Sequence, residues 1–403
     1  MKHYRLATIV VMALALAGCS KNPSKPTTPG MIMGTVLDTL GGLIPGTLAG
    51  ATVTTDPATD SVVTDHNGRF FIGGLVEGHY AIRVTKDGYF GSLASVPVLS
   101  AETTKVTIYA RPRPWLSAAA LPEARHAFGS AVLGTQAYVI AGIAIIGSTT
   151  RYSSVFSYDP SANLWTSTGL APLPWYLESP ACASTGGLIY SFGGSTGSND
   201  TNMTEAYDFL ANNWSTKAPM PTLRRAMAAA VVNGKIYVFG GFHANTPLDT
   251  VEVYDPTANS WASCAKMPAP RGGLSAAVVN GLVYVFGGSN GVAECVDTYE
   301  YNPANNTWSA KASLPAGRSY MACAAVNNAV YLFGGKSGTT AQGAVYRYTP
   351  ATNAWAVMDP MPTARYSAGA YAINGRIYIF GGFNGTNSLT TAEVYNPLAD
   401  PGK

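Results

Sequence analysis

Five arginines occupy one repeated position in the chain, thirteen residues before a tyrosine that has a glycine four residues after it. These are Arg125, Arg224, Arg271, Arg318 and Arg365. Guanidinium groups that converge in a partly desolvated site bind a carboxylate or phosphate through paired hydrogen bonds. The position therefore predicts a binding site for an anionic ligand. The alternative is a structural role, in which each arginine binds backbone carbonyls or a buried glutamate such as Glu205, Glu252 or Glu393.

A second set of candidates lies where the repeat is irregular. The second repeat has Leu177 at the arginine position, and its preceding loop is two residues longer and carries Trp175, Tyr176 and Glu178. The first repeat has a longer loop after its glycine, with Ile143, Ile145 and Ile146. An up-and-down trace puts both loops on the face where the arginines lie. Exposed aromatic and apolar residues there predict a contact site, unless the longer loops simply pack on each other.

Aromatic residues define the repeat that positions these candidates. Six tyrosines precede a glycine by four residues, and the last four of these pairs have a strict period of 47 residues. The pairs are Tyr138/Gly142, Tyr190/Gly194, Tyr237/Gly241, Tyr284/Gly288, Tyr331/Gly335 and Tyr378/Gly382. Each repeat adds a second tyrosine, and in five repeats a tryptophan follows seven residues later. A fixed period of this length with Gly-Gly punctuation is typical of a β-propeller.

The strand segments resemble the kelch family. They read KIYVFGG at 235–241, VEVYDP at 251–256 and NSW at 259–261, and the resemblance covers residues 115–403. It implies an all-β chain with a six-bladed kelch-type β-propeller. The first repeat departs from the pattern, because Ala141 stands where the others have the first glycine of the pair.

The last repeat lacks its tryptophan, because Gly402 stands seven residues after Tyr395. The missing residue occurs before the first repeat, where Trp115 precedes Arg125 by ten residues, as Trp261 precedes Arg271. We therefore expect residues 115–121 to form the outer strand of the last blade. Closure of the ring by both ends of the repeat region leaves no open blade edge.

The first thirty residues resemble a lipoprotein leader. Lys2 and Arg5 precede an apolar stretch at 6–16, which is too short to span a membrane stably. Leu16-Ala17-Gly18-Cys19 then resembles a bacterial lipobox, so residues 1–19 form a predicted signal peptide and lipobox, and the resemblance implies cleavage directly before a lipidated Cys19. Residues 20–30 hold three prolines and form a predicted tether. Ser20 favours an outer-membrane destination, so we expect an exported protein that contacts membrane only through its lipid.

Residues 31–110 form a separate predicted β domain. The segments GTVLD at 34–38 and EGHYAIRVTKDGY at 77–89 resemble the carboxypeptidase regulatory-like domain, which implies a small transthyretin-like sandwich. Asp65 and Asn67 lie in a short turn between two strands. Two oxygen ligands are too few for calcium, so we expect a plain turn and no metal site. Such a domain is more often a spacer than a binder.

Composition limits the partners. Charged residues make up 12% of the chain, and removal of Lys2 and Arg5 lowers the formal charge from +3 to about +1. This balance argues against nucleic acid. We expect a monomer that binds a protein or a glycan, with an anionic group as one option. Cys182 and Cys323 are predicted to be small core residues, and pairing of Cys264 with Cys295 is left open.

Three functions fit these observations. The first is a binding or scaffold module that recognises a protein or glycan through the loop face. The second is a periplasmic enzyme on acidic sugars, similar to a mutarotase or epimerase, with Glu178 as general acid or base. The third is a structural envelope or adhesion component. No HExxH, GxSxG, P-loop or paired CxxC motif is present, so catalysis and a cofactor are the less favoured expectations.

Overall fold

A computed structural model describes residues 28–39, 46–146, 148–400 and 402. The predicted leader at 1–19 with Cys19, and residues 20–27 of the tether, lie outside these ranges. Strands dominate, and the described helices are two short 3-10 turns, Pro350–Thr352 and Pro397–Ala399. Within the described part of the chain, no helix is both long and apolar enough to cross a membrane. The chain clusters into two compact units, one extending to Pro114 and the next beginning at Trp115.

The first unit is a sandwich of two four-stranded sheets. In the first sheet, Gly30–Asp38 pairs with Arg69–Leu75 and Gly46–Thr47 along one edge, and with Thr103–Ala110, in parallel, along the other. The strands of the second sheet, in spatial order, are Val62–Val63, Thr52–Asp56, Gly78–Thr85 and Ser92–Val98. Alternate residues such as Ile32, Val53 and Ile82 are fully buried between the sheets. This period of two is what a half-buried strand requires.

The second unit contains six four-stranded antiparallel sheets, which confirms the predicted six-bladed propeller. The innermost strands are Gly129–Leu133, Ala181–Thr185, Ala228–Val232, Ser275–Val279, Ala322–Val326 and Gly369–Ile373. The second strands are Gln136–Ile140, Leu188–Phe192, Lys235–Phe239, Leu282–Phe286, Ala329–Phe333 and Arg376–Phe380. The third strands are Val155–Asp159, Thr204–Asp208, Val251–Asp255, Thr298–Asn302, Val345–Thr349 and Ala392–Tyr395. The outer strands are Leu164–Thr166, Asn213–Thr216, Ser260–Ser263, Thr307–Lys311, Ala354–Met358 and Trp115–Ala118.

The ring is closed. Each innermost strand contacts that of the next blade, and the first contacts the sixth. The outer strand of the sixth blade is Trp115–Ala118, and Trp115 lies opposite Tyr395 in its register. This strand ends three residues before the end of the segment 115–121. The reason is that Ala119 turns to the first blade, where its N–H donates to Asn163 and its carbonyl accepts the Trp165 indole N–H.

Aromatic side chains join each blade to the next. The rings of Tyr237 and Phe239 lie with centroids 5.8 Å from that of Tyr301 in the following blade. The Trp308 indole, beside Tyr301 in the fourth blade, donates to the carbonyl of Ala265 in the segment that connects the third blade to the fourth. Equivalent contacts recur around the ring, so the blades form a rigid support for their loops.

Short hairpins project from three of the loops between second and third strands. They pair Ile143–Ile146 with Ser148–Arg151, Phe242–His243 with Thr246–Pro247, and Lys336–Ser337 with Thr340–Ala341. These loops lie at the same end of the blades as the segments that lead into the innermost strands.

Candidate functional site

The five repeated arginines lie inside the blades, and none exposes more than 6% of its surface. Each donates through one guanidinium nitrogen to a carbonyl at the end of the second strand, over 2.8–3.1 Å. The acceptors are Ala141, Gly240, Gly287, Gly334 and Gly381. The arginines therefore satisfy buried carbonyls where the glycine pair bends the chain.

A second partner completes each arginine site. Arg224 binds Glu252 at 2.8 Å, and Arg365 binds Glu393 at 3.0 Å, with every one of these side chains buried. The remaining partners are Glu123 for Arg125, Asp297 for Arg271 and the Tyr346 hydroxyl for Arg318.

Burial lowers the pKa of Arg224 to about 10, against the influence of Glu252, so the guanidinium stays charged at neutral pH. The structure thus gives the arginines the alternative, structural role. This corrects the expectation that Arg125, Arg224, Arg271, Arg318 and Arg365 are open to a ligand.

The second blade differs from the others in having no arginine at this position, as its sequence predicts. Leu177 is fully buried at the arginine position, and Glu205 is buried with only the Thr216 hydroxyl at 3.2 Å from each of its oxygens. The two residues before Leu177 are solvent-exposed, Trp175 at 45% and Tyr176 at 63%. The predicted aromatic pair is therefore accessible on this face, and Glu178 follows it after the buried Leu177.

A closed ring of backbone hydrogen bonds surrounds the channel at this face. Its members lie two positions after the arginine position in each blade: Ala127, Ser179, Ala226, Gly273, Tyr320 and Ser367. Each N–H donates to the carbonyl of the preceding blade's member over 2.6–3.1 Å, and all six residues have φ between 50° and 61°. With the residues that follow them, they line a cavity of about 110 Å³. The ring holds six loop segments at fixed distances from one another.

Tyr320 is the one ring member with a large side chain. The others are alanine, serine or glycine, which tolerate the left-handed backbone better than a bulky residue does. The Tyr320 ring crosses to the neighbouring blade and lies over Gly273, where an added Cβ would come within 2.9 Å of it. A strained aromatic residue retained over a channel is the type of feature that clusters at functional sites.

Charged and aromatic groups surround the Tyr320 phenol. Burial raises its pKa, Arg225 opposes that rise, and Tyr366 and Glu178 add to it. Glu178, Arg225 and Tyr366 directly precede the ring members Ser179, Ala226 and Ser367, which places them around the same channel. The Lys336 ammonium lies 5.4 Å from the centre of the Tyr320 ring. We call Glu178, Arg225, Tyr320, Lys336 and Tyr366 the mouth site. Its members come from the second, third, fifth and sixth blades. Tyr320 also covers Gly273, which leads into the fourth blade.

The mouth site has its own supporting contacts. Arg225 forms an ion pair with the buried Asp200 and donates to Asn245 over 2.6 Å, which fixes its guanidinium while leaving the side chain 24% exposed. Asp200 also accepts the Ala244 N–H at 2.8 Å. Glu178 lies 3.8 Å from Arg151. The site therefore presents positioned cations and one carboxylate that water can still reach.

Most of these residues lie next to positions that the repeat highlights. Glu178, Arg225 and Tyr366 each directly follow the arginine position, and each exchanges two backbone hydrogen bonds with the residue after the glycine pair. Sequence reasoning selected Glu178 and missed Arg225, Tyr320, Lys336 and Tyr366. An available signal was Tyr320, which breaks a column of small residues when the repeats are aligned.

The isoleucine hairpin reaches both neighbouring blades. Ile143 and Ile145 are half-buried, and the Ile145 N–H donates to Ser388 of the sixth blade over 2.9 Å. The Ile146 side chain lies outside the described residues. Ser388 also lies 2.8 Å from His126 Nδ1, and burial lowers the pKa of His126 to about 4. Arg151 pairs with Ile143 at the base of the hairpin, and its side chain is the one that approaches Glu178.

Cysteines and acidic residues offer no alternative site. Among the residues described, no group of three His, Cys, Asp or Glu side chains is arranged to hold a metal. Cys182, Cys264, Cys295 and Cys323 are free thiols. Burial raises the pKa of Cys182 to about 12 and raises that of Cys323 as well, so both are unreactive core residues.

Comparisons with known proteins agree with this geometry. A family model described as the KLHDC2/KLHL20/DRC7 Kelch-repeats domain matches residues 127–335. The chain belongs to the kelch-repeat family. The kelch motif also matches residues 317–362 and 364–400, and the carboxypeptidase regulatory-like domain matches residues 31–111. Kelch propellers generally bind proteins or other ligands, so the coarse function is that of a binding or scaffold module.

A solved structure shares the kelch fold. The chain is similar to the one described as "Structure of YjhT", with a TM-score of 0.60 and 16% sequence identity over 68% of this chain and 95% of that one. At this identity the likeness establishes the fold alone. None of the curated proteins compared with the chain matches it in sequence.

Proposed function

We propose that this kelch protein is a cell-envelope lipoprotein whose propeller binds an acidic glycan at the mouth site. The observation that carries the proposal is Tyr320, a large aromatic residue in a left-handed conformation at the one ring position per blade that is otherwise small. Its side chain lines the channel cavity, the Lys336 ammonium lies 5.4 Å from its ring centre, and Arg225 and Glu178 directly precede two other ring members.

The chemistry of the mouth site suits a sugar acid. Arg225 and Lys336 supply charge-assisted hydrogen bonds to a carboxylate, and Arg225 is already oriented by Asp200. Tyr320 and Tyr366 offer ring faces on which a pyranose can stack, and Glu178 can accept hydroxyl protons. The exposed Trp175 and Tyr176 precede Glu178 and extend the aromatic surface. A protein partner with an acidic side chain is the competing occupant.

The cellular location is part of the proposal. The lipobox at 16–19 and the proline-containing tether at 20–30 support a lipid-anchored protein in the cell envelope, with the outer membrane as the favoured destination. In that setting the propeller has access to envelope polysaccharides.

A glycan array tests the proposal. The chain without residues 1–27, which retains every described residue, should bind glycans that carry carboxylates and should ignore their carboxyl-reduced forms. Lys336→Met should weaken this binding, whereas Lys235→Met, which removes the same charge from the opposite face, should not. Binding to neutral and acidic glycans alike, or to none, would contradict the proposal; in the second case capture of an acidic peptide would identify the protein-partner alternative.

A second function, catalysis on a sugar acid, is favoured by the placement of Glu178 and Tyr320 around the same channel. Glu178 directly precedes the ring member Ser179 and adds to the rise in the pKa of Tyr320, and a carboxylate together with a protonated phenol can supply a base and an acid to one sugar. Interconversion of sugar-acid anomers or epimers, followed by NMR, would show this activity. Glu178→Gln should then abolish turnover while binding persists. Unchanged interconversion in this variant would remove Glu178 from the chemistry.

A further inference from the structure

The first sheet of the N-terminal unit has an outward face that is both apolar and cationic. Met33, Phe71 and Tyr109 expose 46%, 52% and 48% of their surfaces there. Their neighbours in the strands, such as Ile32 and Ile72, point into the core and are buried. An exposed sheet face with three large apolar side chains is a candidate contact surface, because exposure of apolar side chains to water is energetically unfavourable.

The strand register brings cations into this patch. Met33 lies between Phe71 and Lys105 across three neighbouring strands, and Thr35 lies between Arg69 and Thr107. A shallow cavity of about 580 Å³ opens on this face and is lined by Met33, Thr35, Arg69, Lys105, Thr107 and Tyr109. No carboxylate belongs to the described lining of that cavity.

One acidic residue, Asp65, lies in the turn that leads into Arg69. Asp65 accepts the backbone N–H groups of Asn67 and Arg69, each over 2.8 Å, within its own turn. These hydrogen bonds lower the pKa of Asp65, with the Arg69 N–H as the largest cause. Asp65 therefore stays ionised and contributes one negative charge, which the two cations Arg69 and Lys105 outweigh, so the face keeps a net positive character.

We propose that this face, formed by Met33, Arg69, Phe71, Lys105 and Tyr109, docks on the surface of an anionic lipid bilayer. Aromatic and long apolar side chains partition to the headgroup region, and each nearby Lys or Arg adds attraction to anionic lipids. Both properties occur together on this face.

The chain length supports the same occupant. The strand that carries Met33 begins at Gly30, eleven residues after Cys19. An extended chain reaches at most about 3.6 Å per residue, so a lipid on Cys19 would keep this strand within roughly 40 Å of the bilayer. The location rests on the lipidation proposed above, but the affinity of the face for lipid can be measured without it.

Vesicle sedimentation tests the face directly. The chain without residues 1–27 should bind vesicles that contain phosphatidylglycerol and should bind pure phosphatidylcholine vesicles much less. Arg69→Gln with Lys105→Gln should reduce partitioning roughly tenfold or more. Phe71→Ser with Tyr109→Ser should reduce it while leaving its salt dependence in place. Arg83→Gln with Lys235→Gln removes the same charge elsewhere and should have little effect.

The outcomes separate this inference from the proposed function. Thermal unfolding of each variant checks that the fold is kept, and Arg69→Gln alone provides a milder change if a double variant fails to fold. Equal binding to both kinds of vesicle, or loss in the control variant as large as in Arg69→Gln with Lys105→Gln, would overturn the docking face. Retention on an immobilised anionic polysaccharide without vesicle binding would overturn it too. None of these results affects glycan binding at the mouth site, because the assay uses a chain without Cys19, the test variants lie outside the propeller, and Lys235 of the control lies on the propeller face opposite the mouth site.

Discussion

At the residue scale, neighbours in one segment serve opposite purposes. Arg224 is buried and binds a carbonyl and Glu252, whereas the next residue, Arg225, is a quarter exposed and belongs to the mouth site. Tyr320 then shows how one substitution in a repeated position creates a site. The scaffold supplies six equivalent positions, and function depends on the few that differ.

Removal of Arg224 should cost much of the propeller's stability. Arg224→Ala leaves Glu252 charged and buried, so the free energy of unfolding should fall by about 3–5 kcal/mol. Replacement of the pair by Arg224→Met and Glu252→Leu should restore the part of the loss that comes from the unpaired carboxylate, but not the part that comes from the Gly240 carbonyl, which still lacks its donor. Denaturant unfolding checks both results. A loss below about 1 kcal/mol for Arg224→Ala would show that the pair is not structural.

His126 should make stability depend on pH. Its pKa falls from 6.5 to about 4 on folding because the imidazole is buried, so the unfolded chain binds the extra proton first as the pH falls. Stability should therefore decrease from about pH 6.5 down to pH 4, by roughly 3 kcal/mol from this residue. His126→Gln should remove that part of the decrease. Identical pH profiles for the two proteins would contradict the assignment.

The arginine position illustrates what the sequence can predict at this scale. Its spacing established that the five residues are equivalent, and Glu252 and Glu393 were recognised as possible partners. It did not establish which way the guanidinium groups point, because their acceptors are carbonyls sixteen residues further along the chain, at the bend made by the glycine pair. Lys336 was missed for a similar reason, because it meets Tyr320 through a backbone bridge to Ser319, seventeen residues earlier in the same blade.

At the scale of elements, the repeat predicts the strands well because each blade uses the same local signals. Tyrosine, tryptophan and the glycine pair mark strand positions in every repeat, and Trp115 revealed the strand that the last repeat lacks. The end of that strand was less predictable. It depends on Asn163 and Trp165 of another blade, which draw Ala119 away.

Trp115 should matter as much as the tryptophans inside the repeats. Its ring lies 4.9 Å from Tyr395 and 6.0 Å from Phe333, and its indole donates to the Asp359 carbonyl. Trp115→Ala should lower the free energy of unfolding by about 3–5 kcal/mol, as should Trp308→Ala in the fourth blade. Thermal or denaturant unfolding compares the two. A negligible effect of Trp115→Ala beside a large one for Trp308→Ala would mean that the closing strand is dispensable.

At the scale of the whole molecule, a small sandwich and a propeller follow one another in the chain, and we propose a lipid anchor at the N-terminus and a ligand site in the propeller. The lipid and the sandwich face would hold the protein at a membrane, and the mouth site would act on what that environment contains. The sequence could assign each part to its family, whereas the mouth site could not be predicted from it, because the members of that site come from four blades and meet only in the closed ring.

Lipidation is the part of this arrangement that fractionation can test. Cys19→Ala should prevent acylation and abolish the mature lipid-modified N-terminus, which mass spectrometry of the purified protein would detect. The mature form of the wild-type chain should begin at a modified Cys19 and sediment with membranes. A wild-type protein that is soluble and unmodified at Cys19 would contradict the anchor and leave the propeller's binding activity unaffected.

The most direct test of the central claim is the affinity of Tyr320→Ala for the acidic glycan that the wild-type chain binds best. Alanine occupies the equivalent position, with the same left-handed backbone, in the first and third blades, so the variant should keep the wild-type unfolding temperature. We predict that calorimetric titration will show at least a tenfold loss of affinity, equivalent to about 1.4 kcal/mol, with Lys235→Met unchanged. Wild-type affinity in a folded Tyr320→Ala protein would show that the ligand does not bind at the mouth site.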